Sequence, residues 1–219
     1  MNPPNIAIVD YQLGNLFSVS MACDKLGHPA ELATSAGDIE QADAIILPGV
    51  GAFGQAMKNL ESLDMVSALK DHVAAGKPLF GICLGMQLLF EESEEFGNPK
   101  GLGLIRGSVR KLPPENVPIP QIGWNRIQPA AGYADGWTGT ALVDVSAEQW
   151  MYFVHSFYVD NADPKDAICR TDYGGFEYTS AVLQGSIFAT QYHPEKSADP
   201  GLTIYRRWLQ NLSQLSSAT

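Results

Sequence analysis

Three times between residues 5 and 92, a short apolar run gives way to a stretch of helical periodicity, and this alternation limits the folds open to the 219-residue chain. Residues 5–9 (NIAIV) are apolar and β-branched, as a buried strand is. Leu16, Val19, Cys23 and Leu26 then recur at spacings of 3, 4 and 3, which is one face of an amphipathic helix. Gly27 ends that pattern, with Pro29 close behind. Residues 44–47 (AIIL) form a second strand pattern. Phe53, Met57 and Leu60, and then Val66, Leu69 and Val73, carry helical spacing on to Gly76. Residues 78–82 (PLFGI) predict a third strand and 84–92 a third helix. Strands apolar at every position are buried on both faces. Each being followed by a helix, they predict an α/β fold with a mostly parallel, doubly wound sheet flanked by helices.

From Gly101 onward the texture changes. Short β-rich pieces at 108–112, 121–127, 141–145, 152–159, 167–171, 178–183 and 187–192 are separated by Pro-, Gly- and Asn/Asp-rich breaks such as PPENVPIP and NADPKD. They predict an added antiparallel, β-rich part. A last helix carries Leu202, Tyr205, Leu209 and Leu212. PPENVPIP is the one linker-like segment, and strands resume after it, so residues 1–219 are expected to form a single domain.

With 45% hydrophobic and 17% charged residues, the chain has enough apolar side chains for such a core. Fourteen Lys and Arg against 24 Asp and Glu leave a net charge of −10, a poor match for phosphate backbones or anionic lipid. Neither nucleic acid nor membrane is expected as a partner. Cys23, Cys83 and Cys169 are odd in number and lack CxxC spacing, which fits neither a disulfide framework nor a zinc cage. The opening MNPPNIAIVD has no signal-peptide pattern, and no apolar run nears the roughly 18 residues of a membrane span. A cytoplasmic protein is expected.

Gly81-Ile82-Cys83-Leu84-Gly85 falls where a strand pattern turns into a helix pattern. This is a nucleophile elbow with Cys in place of Ser, its glycines expected to permit the tight turn that exposes the thiol. The alternative is a buried structural cysteine, the reading given to Cys23 and Cys169. Of four histidines, His28 and His72 read as solvated surface residues, and His155 lies in the apolar run VHSF. His193 is the candidate base, in Gln191-Tyr192-His193-Pro194-Glu195-Lys196 after the last strand pattern. In extended chain residues i and i+2 point the same way, so Glu195 can accept from one imidazole nitrogen while the other faces the thiol. A surface turn is the alternative. A metal pair lacks further ligands at sensible spacing, so no metal is expected. Gly49-Val50-Gly51 also follows a strand pattern. Its backbone N–H groups, with that of Leu84, can hold an oxyanion, although alone it reads as an ordinary βα turn. Without a following Lys-Ser/Thr it is not a phosphate loop.

Elbow, PGVG and HPE together resemble the class I (triad) glutamine amidotransferases along essentially the whole chain. Asp10-Tyr11 with Gly14-Asn15, PGVGAF at 48–53, GICLGMQLLF at 81–90, GWN at 123–125, YFVHS at 152–156 and HPEKS at 193–197 are similar to the branch that serves imidazole glycerol phosphate synthase. The resemblance implies roles. Cys83 is the nucleophile, His193 the general base and acid, and Glu195 the orienter of the imidazole. Val50 and Leu84 amides form the oxyanion hole; Gly51, Gln87, His155 and Ser156 hold glutamine. Asn15, Trp124, Tyr152 and Lys196 lie at or near the contact with a (β/α)8-barrel cyclase subunit. The implied activity is glutamine hydrolysis, with ammonia passed through a shielded passage to that cyclase in histidine biosynthesis, without metal or organic cofactor. Gln12, Phe17, Gln121 and Phe157 depart from the family pattern, none of them in the triad. Competing expectations are an amidotransferase for another acceptor, which GWN and HPEKS disfavour, and a free-standing γ-glutamyl hydrolase. A non-catalytic subunit on the same fold is disfavoured by the intact Cys83, His193 and Glu195.

Overall fold

The computed structural model describes residues 4–113, 117–161 and 163–215. Residues 114–116 of PPENVPIP and 162 of NADPKD lie outside the described residues, as do both chain ends. β1 (Ile6–Val9), α1 (Leu16–Lys25), β2 (Glu31–Ala33), α2 (Ala36–Gln41) and β3 (Ala44–Gly49) open the fold. Two helices, α3 (Phe53–Ser62) and α4 (Met65–Ala74), lead to β4 (Leu79–Cys83), and α5 (Leu84–Leu88) follows without a break. The second half runs through β5 (Glu92–Ser93), β6 (Gly107–Lys111), β7 (Gln121–Arg126), β8 (Gln128–Pro129), β9 (Trp150–His155) and β10 (Phe157–Asn161). It closes with β11 (Ala167–Tyr173), β12 (Phe176–Gln184), β13 (Ile187–Thr190) and α6 (Ala198–Leu215).

The main sheet runs β2-β1-β3-β4-β13-β12-β10-β6-β5, with β11 beside β12 and β8 beside β11. From β2 to β13 neighbours are parallel; β13–β12, β12–β10 and β10–β6 are antiparallel. β7 and β9 pair apart as a small antiparallel sheet. The expected parallel core with an antiparallel extension is therefore what forms. Its strands are buried on both faces, as their uniform apolarity requires. Ile6, Ile8, Ile46, Phe80 and Ile82 pack with α1 and α6 on one side. Ala7, Val9, Ile45, Leu47 and Leu79 pack with α2, α3 and α4 on the other. Cys23 and Cys169 are wholly buried core residues, as expected.

Several expectations are corrected. β2 and α2 have no counterpart in the periodicity, being three and six residues long, although a Ser35–Asp38 capping box marks the start of α2. The helix expected from 53 to 76 is two helices, broken at Asp64, whose backbone is left-handed at φ 55°. The helix expected over 84–92 stops at Leu88. Residues 141–145 are turns, not a strand; Ala141, Leu142 and Val145 are apolar because they pack into the core from there. The strand expected over 152–159 divides at Ser156, because β9 pairs with β7 while β10 pairs with β6. His72 is buried rather than solvated, its Nε2 lying 3.1 Å from the Pro78 carbonyl oxygen.

Candidate active site

β3, β4 and β13 end side by side, and the loops beyond them gather the residues with chemistry. Cys83 closes β4 at φ 54°, ψ −110°, a conformation that a side chain adopts only at a cost of about 1–3 kcal/mol. The strain falls on the cysteine itself. Gly81 and Gly85, expected to relieve the turn, have ordinary φ and are required instead by close packing. A Cβ on Gly85 would lie 1.7 Å from the Leu47 carbonyl oxygen, and one on Gly81 3.0 Å from Leu89 Cδ1.

His193 lies three residues beyond β13, and Glu195 sits in a single 3-10 turn (Pro194–Lys196). Their pairing therefore comes from the turn, not from the alternation of an extended strand. Nδ1 of His193 and Oε1 of Glu195 are 2.8 Å apart, with both side chains 1% exposed. Asn15 Nδ2 donates to the same oxygen at 3.3 Å. The turn is held by Ser197 Oγ, which donates to the His193 carbonyl and accepts from Tyr152 N–H, while His193 N–H donates to the Tyr152 carbonyl. Nε2, turned to the Cys83 sulfur, makes no hydrogen bond of ordinary geometry, and such contacts are commonly long before substrate arrives. Burial pushes the His193 imidazole down, but the Cys83 sulfur facing it and then Glu195 outweigh burial and lift it to about 10. Once the Cys83 thiol has given up its proton, His193 is thus favoured to hold the proton that a departing amine needs.

A cleft of about 270 Å³ opens in front of the sulfur. Val50, Gly51, Leu84, Gln87, His155 and Ser156, all singled out in the sequence, lie on its wall with Cys83. Glu95, Pro120, Val154 and Phe157 complete it. Glu95 escaped notice because it stands in the acidic run EESEE, which looks like a solvated surface. Its Oε2 accepts from the Phe53 N–H at the start of α3, which fixes a carboxylate on the cleft wall.

His155 meets the cleft with both ring nitrogens engaged: Nδ1 with the Phe157 carbonyl at 2.8 Å, Nε2 with the Tyr178 hydroxyl at 3.1 Å. What it offers a ligand is therefore its backbone and its shape. Burial holds this imidazole down at about 4. The folded ring stays neutral where an unfolded one, near 6.5, takes a proton. A depressed folded value gives stability that is whole above about pH 6.5 and lost as pH falls toward 4, about 3 kcal/mol for this group. Urea unfolding at about pH 7 and about pH 4 measures it. Wild type should lose roughly that much more than His155→Gln, and equal losses would contradict the assignment.

Trp124, Tyr152 and Lys196 lie away from the cleft. The half-exposed Trp124 ring meets Tyr152 edge-on at 6.1 Å, and Lys196 Nζ stands 5.9 Å from the Tyr152 ring centroid. Asn15 is placed differently from these three, against Glu195.

A thiol on a strained strand-to-helix turn, beside an imidazole–carboxylate pair and facing a small cleft, is the layout of cysteine-dependent amide-cleaving enzymes built on a parallel sheet. The chain belongs to the class-I glutamine amidotransferase family, whose sequence model matches residues 8–211. It is 41% identical over 212 residues to imidazole glycerol phosphate synthase subunit HisH of Nostoc punctiforme, covering 96% of this chain and 98% of the relative. It is 45% identical over 203 residues to the same subunit of Sulfurimonas denitrificans, covering 91% and 94%. Among solved structures, PurLQS from Thermotoga maritima aligns with a TM-score of 0.74 at 17% identity, covering 96% of this chain and all of that one, a likeness of fold. Among the described residues no helix is long and apolar enough to cross a membrane.

Proposed function

We propose that this chain, read as one amidotransferase domain over residues 1–219, is the glutaminase subunit of an imidazole glycerol phosphate synthase. The observation that carries the reading is the meeting of the Cys83 sulfur, the His193–Glu195 pair and the cleft at the end of β4. Cys83 thiolate attacks the side-chain carboxamide carbon of glutamine, and the amides of Val50 and Leu84 hold the oxyanion. His193 gives its proton to the nitrogen, ammonia leaves, and a γ-glutamyl thioester remains on Cys83. Water, deprotonated by His193, then releases glutamate. Glu195 keeps the imidazole oriented. Glu95 and the side-chain amide oxygen of Gln87, both on the cleft wall, are the acceptors for the substrate's α-ammonium, with Gly51, His155 and Ser156 shaping the rest.

Ammonia released into water at neutral pH is mostly protonated and no longer nucleophilic. An acceptor enzyme must take it directly, which explains why relatives of this chain are named as subunits. We assign the partner as the cyclase that makes imidazole glycerol phosphate and aminoimidazole carboxamide ribotide, and its docking face as the surface around Trp124, Tyr152 and Lys196. The exposed Phe17 ring, where a basic residue is frequent in the family, makes contacts at α1 apolar rather than ionic. A cytoplasmic heterodimer follows from this assignment.

The backbone bonds between Tyr152 and the His193 turn give the partner a route to the triad. The chain alone should therefore be a feeble glutaminase, activated by the cyclase with its nucleotide bound. If, before the cyclase docks, the Gly49–Val50 peptide turns the Val50 N–H away from the oxyanion position, the misplaced donor costs about 10²–10³ in kcat, which sets the expected activation. Steady-state glutamate release, measured with the chain alone, with cyclase, and with cyclase plus ligand, checks this. Rates equal within a few-fold would describe a constitutive hydrolase instead.

A further inference from the structure

We infer that Gln191 is a positioning residue for the nucleophile, its side-chain amide donating a hydrogen bond to the Cys83 sulfur. The inference deepens the glutaminase reading and rests on it for the reaction that the bond serves. Gln191 is wholly buried, one residue past β13, with its backbone N–H bonded to the Ser180 carbonyl at 2.9 Å. Its Nε2 lies 3.7 Å from Cys83 Sγ, within reach of an N–H···S bond.

The polarity of that amide is fixed by its neighbours. The Phe157 carbonyl can only accept, and it takes Gln87 Nε2 at 2.9 Å and His155 Nδ1 at 2.8 Å. The same Gln87 nitrogen donates to Gln191 Oε1 at 3.0 Å. With its oxygen so engaged, Gln191 turns its NH₂ to the sulfur. Reversing either amide would set donor against donor or acceptor against acceptor.

On another side of the sulfur stands the Val154 carbonyl oxygen, 3.8 Å away. A protonated thiol donates to it. Once the proton passes to His193, that carbonyl repels the sulfur, and the Gln191 N–H stands ready as a neutral donor to it. Hydrogen bonds to an ionised partner are about twice as strong as neutral ones, and burial strengthens them further. Gln191 thereby holds the thiolate in one rotamer before substrate arrives, through a chain of bonds that also ties down the cleft wall at Phe157.

Gln191→Met keeps the length and removes the donor. The rate of Cys83 alkylation by iodoacetamide at one neutral pH, read by peptide mapping, should fall about tenfold, the loss expected when the charged thiolate gives up one hydrogen bond. With cyclase present, kcat on glutamine should fall at least as much; Gln87 loses one of its two acceptors but keeps the Phe157 carbonyl, so KM should stay within about threefold. Alkylation unchanged within about twofold, or a loss confined to KM, would overturn the assignment. Should thermal melting show that Gln191→Met does not fold, the wild-type chain still decides. The assigned side-chain amide resonances of Gln191 must shift when Cys83 is alkylated, and unmoved resonances overturn the bond. Neither alkylation nor the resonance involves glutamine, so failure there refutes Gln191 alone. A wild-type complex that does not hydrolyse glutamine refutes the glutaminase reading.

Discussion

Cys83→Ala is expected to abolish glutamine-dependent product formation by the synthase complex and to leave its ammonia-dependent activity intact. Only cleavage of the amide needs the thiol; ammonia supplied from solution enters after that step. Loss of a triad nucleophile costs about 10⁶ in kcat, so residual glutamine turnover above a percent or so would remove Cys83 from the role. Alanine at this position also loses the sulfur contacts with Gln191 and Val154, but it leaves the close packing of Gly81 against Leu89 and of Gly85 against Leu47 untouched. The ammonia-dependent rate, measured on the same preparation, shows whether the complex still assembles.

The second large effect separates the two other members of the triad. His193→Ala should cost about 10⁶ in kcat, because it removes the group that moves the proton, whereas Glu195→Gln should cost about 10⁴. The amide oxygen that replaces the Glu195 carboxylate can still accept from His193 Nδ1 and from Asn15, so the ring keeps its place while the imidazolium loses its counter-charge. The new NH₂ takes the site of Oε2, which is buried without a partner, so part of the loss will show as lowered stability. Steady-state glutaminase assays with cyclase present, run beside thermal melts, measure both. Equal losses, or a larger loss at Glu195, would overturn these roles.

The parallel core was legible because each of its strands is apolar on both faces, and the elbow because glycine, cysteine and glycine fell at a strand-to-helix boundary. The reason for those glycines was not legible. It depends on Leu47 and Leu89, which approach only when the sheet is assembled. Residues 141–145 show the same limit: Leu142 and Val145 are as apolar as strand residues, yet reach the core from turns. His72 looked solvated between Asp71 and Val73 because its partner, the carbonyl of Pro78, lies beyond the end of its helix.

At the site, Cys83, the His193–Glu195 pair and most of the cleft wall that the structure brings together could be picked out from motifs, since each motif keeps its residues close in sequence. Gln191 and Glu95 could not. In the sequence Gln191 stands out only as a neighbour of His193, and what it touches, Gln87 and Cys83, lies more than 100 residues away. Glu95 gains its meaning from the N-terminus of α3, 42 residues earlier. Nothing periodic or local marks either one; each follows from which strand ends the sheet brings together.

The central claim, that Cys83 takes the γ-glutamyl group from glutamine, is tested most directly by rapid acid quench of the wild-type complex during steady-state turnover, followed by peptide mass mapping. The account predicts a γ-glutamyl adduct on the peptide bearing Cys83, absent when glutamine is withheld and absent from Cys83→Ala. Glutamate release with no adduct at Cys83, or with the adduct on another residue, would contradict it.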